Sequence, residues 1–381
     1  MRSVAEHLDA VLALSRPLPP VTVPLGDGLG CVLAVAVRAA SPLPPYDSSA
    51  MDGYGVRAAD VADAPVTLTV VATAPAGSPA TLAELPPGAC VRILTGGLVP
   101  PYVDAVVPVE DTDGGRTTVR IHAAVPVGQS VRRAGEEMAP GAVVLAPGRR
   151  LGPAAVMAAA AAGAGTVTVH RRPRVAILST GDELVPAGAA LRLGQLPDSN
   201  GPGLAAAVRA AGGDVVAVEH APDDLVAVAR MLARLGQAAD LVLSTGGVSA
   251  GAENDPIRAA LEGSADVAFV SVAMQPGKPQ ALGRLGSAIY LGFPGNPVSA
   301  LASWTVFGRP LLRSLAGGAA EQAPTIGVLA MDVQPLPHRQ RYVRARFTPS
   351  AGGGPGQVVP IDGHGSHLVG GLGQTDCFIE L

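Results

Sequence analysis

The sequence predicts a multidomain protein of mixed α/β and β class. A doubly wound α/β domain forms the centre, a small β-rich domain is inserted near the N-terminus, and a β domain closes the chain. Three observations carry this. From Arg174 to about Gly317, apolar β-branched runs alternate with helical patterns, which calls for right-handed crossovers in a doubly wound sheet. Before residue 150 that alternation is missing, and short runs punctuated by Pro, Gly and Asp take its place. After Gly317-Gly318 the pattern returns to strands. A chain of 381 residues makes roughly two to four domains. The expected boundaries are 1–44 with 138–172 for an N-terminal helical and linker domain, 45–137 for the insertion, 173–317 for the α/β domain and 318–381 for the last domain.

In chain order, an amphipathic helix is expected over about 1–15, because Glu6, His7 and Asp9 interrupt its apolar residues. Strands follow at 66–74, 90–95, 105–110 and 117–125, and then an Ala-rich helix at 153–162. The α/β domain is expected to place strands at 174–178, 214–220, 240–244, 267–273 and 288–292. Helices are expected at 202–212, 223–236, 255–263 and 297–317, with Asp223 as an acid cap and Pro256 in a first turn. The final strands are expected at 325–333, 340–347, 357–361 and 376–381.

Composition excludes several classes. Hydrophobic residues make up 48% and charged residues 15%, as in a folded globular chain. The 48 Gly and 36 Pro are dispersed and mark tight turns. A net charge of −4 without a basic run offers nothing to nucleic acid or an anionic membrane surface. Cys31, Cys90 and Cys377 are odd in number and widely spaced, which argues against disulfides or zinc and for a reducing cytoplasm. Leu151–Val169 carries no charge over 19 residues, long enough for a membrane span, yet its Ala and Gly content and the Gly152-Pro153 start read as a short helix followed by a strand.

Chemistry is suggested by three stretches with the same order of strand, glycine turn and polar residue: 175-VAILSTGDEL-184, 241-LVLSTGGVSAGAEND-255 and 289-IYLGFPGNPVS-299. Each reads as the carboxyl end of a buried strand, where α/β sheets bind ligands. Asp182, Glu183, Glu253 and Asp255 stand beside the turns. Turns that admit an anion beside carboxylates that hold a hard cation suggest a phosphate ester bound with Mg²⁺; ordinary βα loops are the alternative. Earlier, 44-PPYDSSAMDGYGVR-57 carries Asp47, which reads as an Asx-turn residue, and Asp52, a better ligand candidate between Met51 and Tyr54. Glu136 and Glu137 form an acidic pair on a further loop.

The strings PPYDSSAMDGYGVR, RILTGG, DAVVPVE, RPRVAILSTGDEL, GQLPDSN, STGGVSAG, MQPGKP and GFPGNPVS occur in the order found in the molybdopterin molybdenumtransferases, the MoeA family that includes the gephyrin E domain. The resemblance runs from about residue 3 to the end. It implies an elongated homodimer whose α/β domain binds molybdopterin. It also implies an enzyme that takes adenylylated molybdopterin and molybdate, releases AMP and uses Mg²⁺. Partners implied are molybdopterin adenylyltransferase and molybdoenzyme maturation proteins.

Residue by residue, the resemblance makes Asp255, Glu183, Asp223 and Asp52 Mg²⁺ ligands, with a helix cap the alternative for Asp223. Asp52 and Thr95 would reach the partner chain's α/β domain, and Lys278 would face an anion. Thr180, Gly181, Ser199, Asn200, Gly246, Gly247 and Ser249 would line the pterin site, with Pro294, Gly295, Asn296, Pro297 and Ser299 turning over it. Arg344 and Ser366 would hold molybdate. The chain departs from relatives at Glu137, where many have Asp, and at Ser271 and Gln275, where some have Lys. One extra residue stands between Gly251 and Asp255. A dimeric scaffold and a molybdopterin adenylyltransferase are the competing readings; the second leaves 44–140 and 320–381 without a purpose.

Overall fold

The computed structural model describes residues 1–78, 82–248, 255–320, 324–352, 354–361, 363 and 365–381. The first helix spans Val4–Ala13 and opens in a capping box: Ser3 Oγ accepts the Glu6 amide at 3.1 Å and Glu6 Oε2 accepts the Ser3 amide at 2.7 Å. Val4 and Val11 enter the core of the α/β domain, and His7 on the same face stands edge-on to Phe307 with ring centroids 4.6 Å apart. Beyond it, Pro20–Pro24 pairs with Thr166–His170 and Val37–Arg38 with Val143–Leu145, so strands bind together the segments on either side of the insertion. The uncharged stretch 151–169 resolves into the helix Pro153–Ala161 and the start of the strand Thr166–His170. No helix among the described residues is long and apolar enough to cross a membrane.

The insertion is a five-stranded sheet in the order Ala105–Pro108, Gly53–Val56, Ala89–Ile93, Val66–Ala74 and Thr118–Ile121. The expected runs all contribute. The second strand, hidden by the two glycines of GYGV, was not expected.

The central sheet has six strands in the order Asp214–Ala221, Arg174–Thr180, Leu241–Thr245, Ala288–Phe293, Pro279–Leu285 and Val267–Ser271. The first four are parallel; the last two are antiparallel additions at one edge. Strand Pro279–Leu285 was not expected; it stands between Ala288–Phe293 and Val267–Ser271, which becomes the edge strand, paired antiparallel. Parallel strands buried by helices on both faces read as continuous apolar runs, and LVLST and AIYLGF, buried at every position, fit that rule. The helix expected at 297–317 is broken into Pro297–Ser303, a π-helical turn at Trp304–Gly308, and Arg309–Leu315. Pro310 lacks an N–H and crowds the carbonyl four residues back, so the preceding turn widens. In the last domain Gln340–Thr348 pairs with Gly356–Pro360 and Cys377–Glu380, and its start pairs with Met274–Gln275, which stitches this domain to the central one.

Candidate active site

Strands Arg174–Thr180 and Leu241–Thr245 are neighbours, yet the chain between them runs out to Asp214–Ala221 and back across. That reversal is a topological switch point, where loops leave in opposite directions and open a crevice at the carboxyl ends of the strands. The three glycine turns meet there. A Cβ on Gly246 would lie 2.8 Å from Thr180 Oγ1, and one on Gly295 would lie 3.6 Å from the Gly246 Cα. Thr180 Oγ1 donates to the Thr245 carbonyl at 3.4 Å, and the Gly246 amide to the Phe293 carbonyl at 3.1 Å. Asn200, at the start of helix Asn200–Ala210 behind Ser199, donates Nδ2 to the Gly295 carbonyl at 2.6 Å.

The acids fall into place around this floor. Asp255 caps helix Pro256–Leu261, accepting the Ile257 and Arg258 amides at 3.1 and 3.4 Å, and a Cβ on Gly247 would lie 2.7 Å from its Oδ1. Burial pushes the Asp255 carboxyl above the usual carboxylate range, and the like charge of Asp223 adds to the push. Asp223 is not the cap of the helix it precedes. That helix, Leu225–Ala238, is capped by Asp224, which accepts the Ala227 amide at 2.6 Å. Asp223 instead bonds reciprocally to Asp182: its amide donates to Asp182 Oδ1 at 3.0 Å, and its Oδ2 accepts the Asp182 amide at 3.4 Å. The Glu183 carboxylate lies against Gly181, within van der Waals reach of where a Cβ would stand.

On the far wall, Asn296 Nδ2 donates to Ser366 Oγ at 2.9 Å and the Val298 amide to the Ser366 carbonyl at 3.1 Å, which brings the last domain onto the Pro-Gly-Asn-Pro turn. Pro294 and Ser299 are buried beneath that turn, with Gly295 and Asn296 exposed and Pro297 between the two. Arg344 is only 4% exposed, and its guanidinium donates to the carbonyls of Gly363 and Leu368 at 2.6 Å each. It thus clamps the loop that carries Ser366. By register, Ser271 opposes Pro279, and Ala281 opposes Gly292, so Ser271 and exposed Lys278 stand at the same end of the sheet as Phe293. Gln275 is turned to the last domain, its Oε1 accepting Arg339 Nη1 at 3.5 Å.

Asp52 and Thr95 are not brought to this crevice within the chain. In the inserted sheet both the Thr95 amide and its Oγ1 donate to Asp52 Oδ1 at 2.7 Å, which holds the exposed Asp52 carboxyl below the usual range. Asp47 makes no Asx-turn; it pairs with Arg133 at 2.6 Å and accepts the Ala134 amide, tying two loops. Glu136 accepts the Arg133 amide at 2.8 Å, closing its own turn, and Glu137 is exposed beside it. Among the described residues no three His, Cys, Asp or Glu side chains form a metal cage. A cation shared with a substrate phosphate needs only one or two carboxylates, so the lack of a three-residue cage does not exclude one. Ser249, Glu253 and the inserted position after Gly251 lie outside the described residues.

Family models match three successive segments of the chain. The MoeA N-terminal region (domain I and II) matches residues 2–163, a probable molybdopterin binding domain matches 176–314, and the MoeA C-terminal region (domain IV) matches 327–381. Molybdopterin molybdenumtransferase 2 of Mycobacterium tuberculosis is 46% identical over 328 residues, covering 83% of this chain and 80% of that protein. The chain belongs to the molybdopterin molybdenumtransferase (MoeA) family. The molybdopterin molybdenumtransferase of Synechococcus elongatus is 36% identical over 342 residues, covering 87% of this chain and 84% of its own. The crystal structure of a molybdopterin biosynthesis MoeA protein from Pyrococcus horikoshii superimposes with a TM-score of 0.81 at 29% identity, covering all of this chain and 94% of that one.

Lys278, expected to face an anion, is also the only lysine among the 27 Lys and Arg residues of this MoeA chain, a signal readable by counting. His220, whose Nε2 lies 2.8 Å from the Gly181 carbonyl, carried no sequence signal beyond standing three residues before Asp223.

Proposed function

We propose that the chain inserts molybdenum into molybdopterin: it binds adenylylated molybdopterin and molybdate, cleaves the phosphoanhydride, releases AMP and leaves molybdenum on the dithiolene, two Mo–S bonds forming as one Mo–O bond breaks and its oxygen departs as water with the two thiol protons. The observation that supports this most is the meeting of three glycine turns, the Asp223 and Asp255 carboxylates and Ser366 at one switch-point crevice. In the proposal, amides and hydroxyls around Thr180, Gly181, Gly246 and Gly247, with Ser199 and Asn200, receive the phosphates and pterin. Water attacks phosphorus, the bond to the AMP oxygen breaks, and the proton passes to a crevice carboxylate. Asp255, whose carboxyl burial pushes above the usual carboxylate range, suits that proton transfer. A Mg²⁺ ion would be held by Asp223 and Asp255, with Glu183 beside them, and would supply charge neutralisation for the phosphates. Lys278 and the Ser366 loop, clamped by Arg344, receive the oxyanion.

The reading extends to a cytoplasmic homodimer in which Asp52 and Thr95 complete the partner's crevice, consistent with their separation from their own chain's crevice. Mixed dimers test both points. Combining an Asp52→Ala chain with an Asp255→Ala chain restores up to half of normal AMP release if the site is shared, whereas each variant alone is inactive. Inactive mixed dimers would defeat the sharing but not the reaction.

A further inference from the structure

We infer that His220 is a positioning residue that locks the Gly181–Asp182 peptide plane and so fixes the acids beside it; the inference rests on the crevice being the reaction site. The carbonyl of Gly181 and the amide of Asp182 are the two ends of one peptide group. A carbonyl only accepts, so His220 Nε2 must carry hydrogen and donate to it, at 2.8 Å. At the other end, the Asp182 amide donates to Asp223 Oδ2 at 3.4 Å. One plane is thus held at both ends, by a donor on its oxygen and an acceptor on its N–H. Gly181 sits at φ +139°, where no side chain opposes rotation of the following peptide. Turning that plane over would aim the carbonyl oxygen at the Asp223 carboxylate and the N–H at the imidazole. His220 opposes this, and it does so whether neutral or protonated, because Nε2–H is present in both forms.

The consequence reaches the chemistry through Asp223, whose charge acts on Asp255, and through Glu183, whose carboxylate lies against Gly181. Since His220 is itself exposed and outside the core, its removal leaves the fold in place.

The test compares His220→Gln, which retains an amide donor, with His220→Phe, which keeps a ring and loses it. Turnover of adenylylated molybdopterin and amide hydrogen exchange over residues 176–186 are measured for each. Loss of one hydrogen bond predicts about a fivefold fall in kcat for His220→Phe with KM little changed, and faster exchange at Asp182, while the thermal midpoint falls by at most about 2–4 °C. His220→Gln recovers most of both. Equal kcat and exchange for His220→Phe and the unmodified protein overturn the inference, as does equal impairment of both variants. If the unmodified protein releases no AMP, the functional reading fails instead; the exchange comparison still decides whether His220 holds the plane.

Discussion

Gly247→Ala puts the geometry of the crevice floor under direct strain. Gly247 adopts φ +76°, and a Cβ there would lie 2.5 Å from the Ile257 Cβ and 2.7 Å from Asp255 Oδ1. Two costs follow. A left-handed backbone costs an alanine roughly 1–2 kcal/mol. Pressing on Ile257, which is fully buried, adds an overpacking cost of about 1–3 kcal/mol. Gly188→Ala isolates the first cost, because Gly188 sits at φ +89° with nothing within 4 Å of its added Cβ. For a domain of this size each kcal/mol moves the midpoint by about 2–4 °C, so Gly188→Ala should lower it by a few degrees and Gly247→Ala by roughly 5–15 °C. Thermal unfolding followed by circular dichroism reads the difference. AMP release reads the displacement of Asp255, which only Gly247→Ala should impair. Equal midpoints for the two variants, with activity intact in both, would refute the claim that this turn packs against Asp255.

Three other outcomes follow. Asp255→Asn keeps a capping side chain but removes a charge that burial disfavours. A carboxyl whose folded pKa is raised contributes stability below its unfolded pKa and loses it as pH rises through the folded value, so near pH 7 the variant should melt no lower than the parent while AMP release is lost. His7, 1% exposed, has its pKa lowered to about 4 from 6.5 by burial, so the folded state binds fewer protons. Its stability contribution is lost as pH falls below about 6.5, and by pH 4.5 the parent should have lost roughly 2.5 kcal/mol more than His7→Leu, measured by urea unfolding at both pH values. Lys278→Ala should raise the molybdate concentration for half-maximal AMP release, and Ser271→Lys should lower it, both effects shrinking with added salt; an unchanged value for both would remove this sheet edge from the oxyanion's path.

Much of the fold was legible where one interaction dominates a segment. Val175, Ile177 and Leu178 announce a buried strand because both sheet faces are covered. Pro279–Leu285 was hidden because its polar members are satisfied at a distance: Gln280, 1% exposed, donates to the Gly277 carbonyl and to Ser303 Oγ, and Gly283 lets the Asp266 backbone approach. Read alone, the run PQALGRL shows polarity and a glycine, which are loop signals. Local rules also misplaced Asp223 by one residue, since Asp224 offers the same cap chemistry. Asp47 depends on Arg133, a contact 86 positions away that local spacing does not reveal. The crevice itself was visible as three turns after three strands, but their meeting at a reversal of strand order is a property of the whole sheet. Arg344 was legible as a cation; that its guanidinium donates to the Gly363 and Leu368 carbonyls belongs to the folded loop.

A single-turnover reaction with adenylylated molybdopterin tests the central claim most directly, with AMP and pterin-bound molybdenum quantified together in the presence and absence of molybdate. The account predicts AMP release that depends on molybdate and Mg²⁺, one molybdenum retained per AMP released, and loss of both in Asp255→Ala. AMP appearing equally fast without molybdate, or appearing with no molybdenum retained, would contradict it and leave only a nucleotide-cleaving crevice.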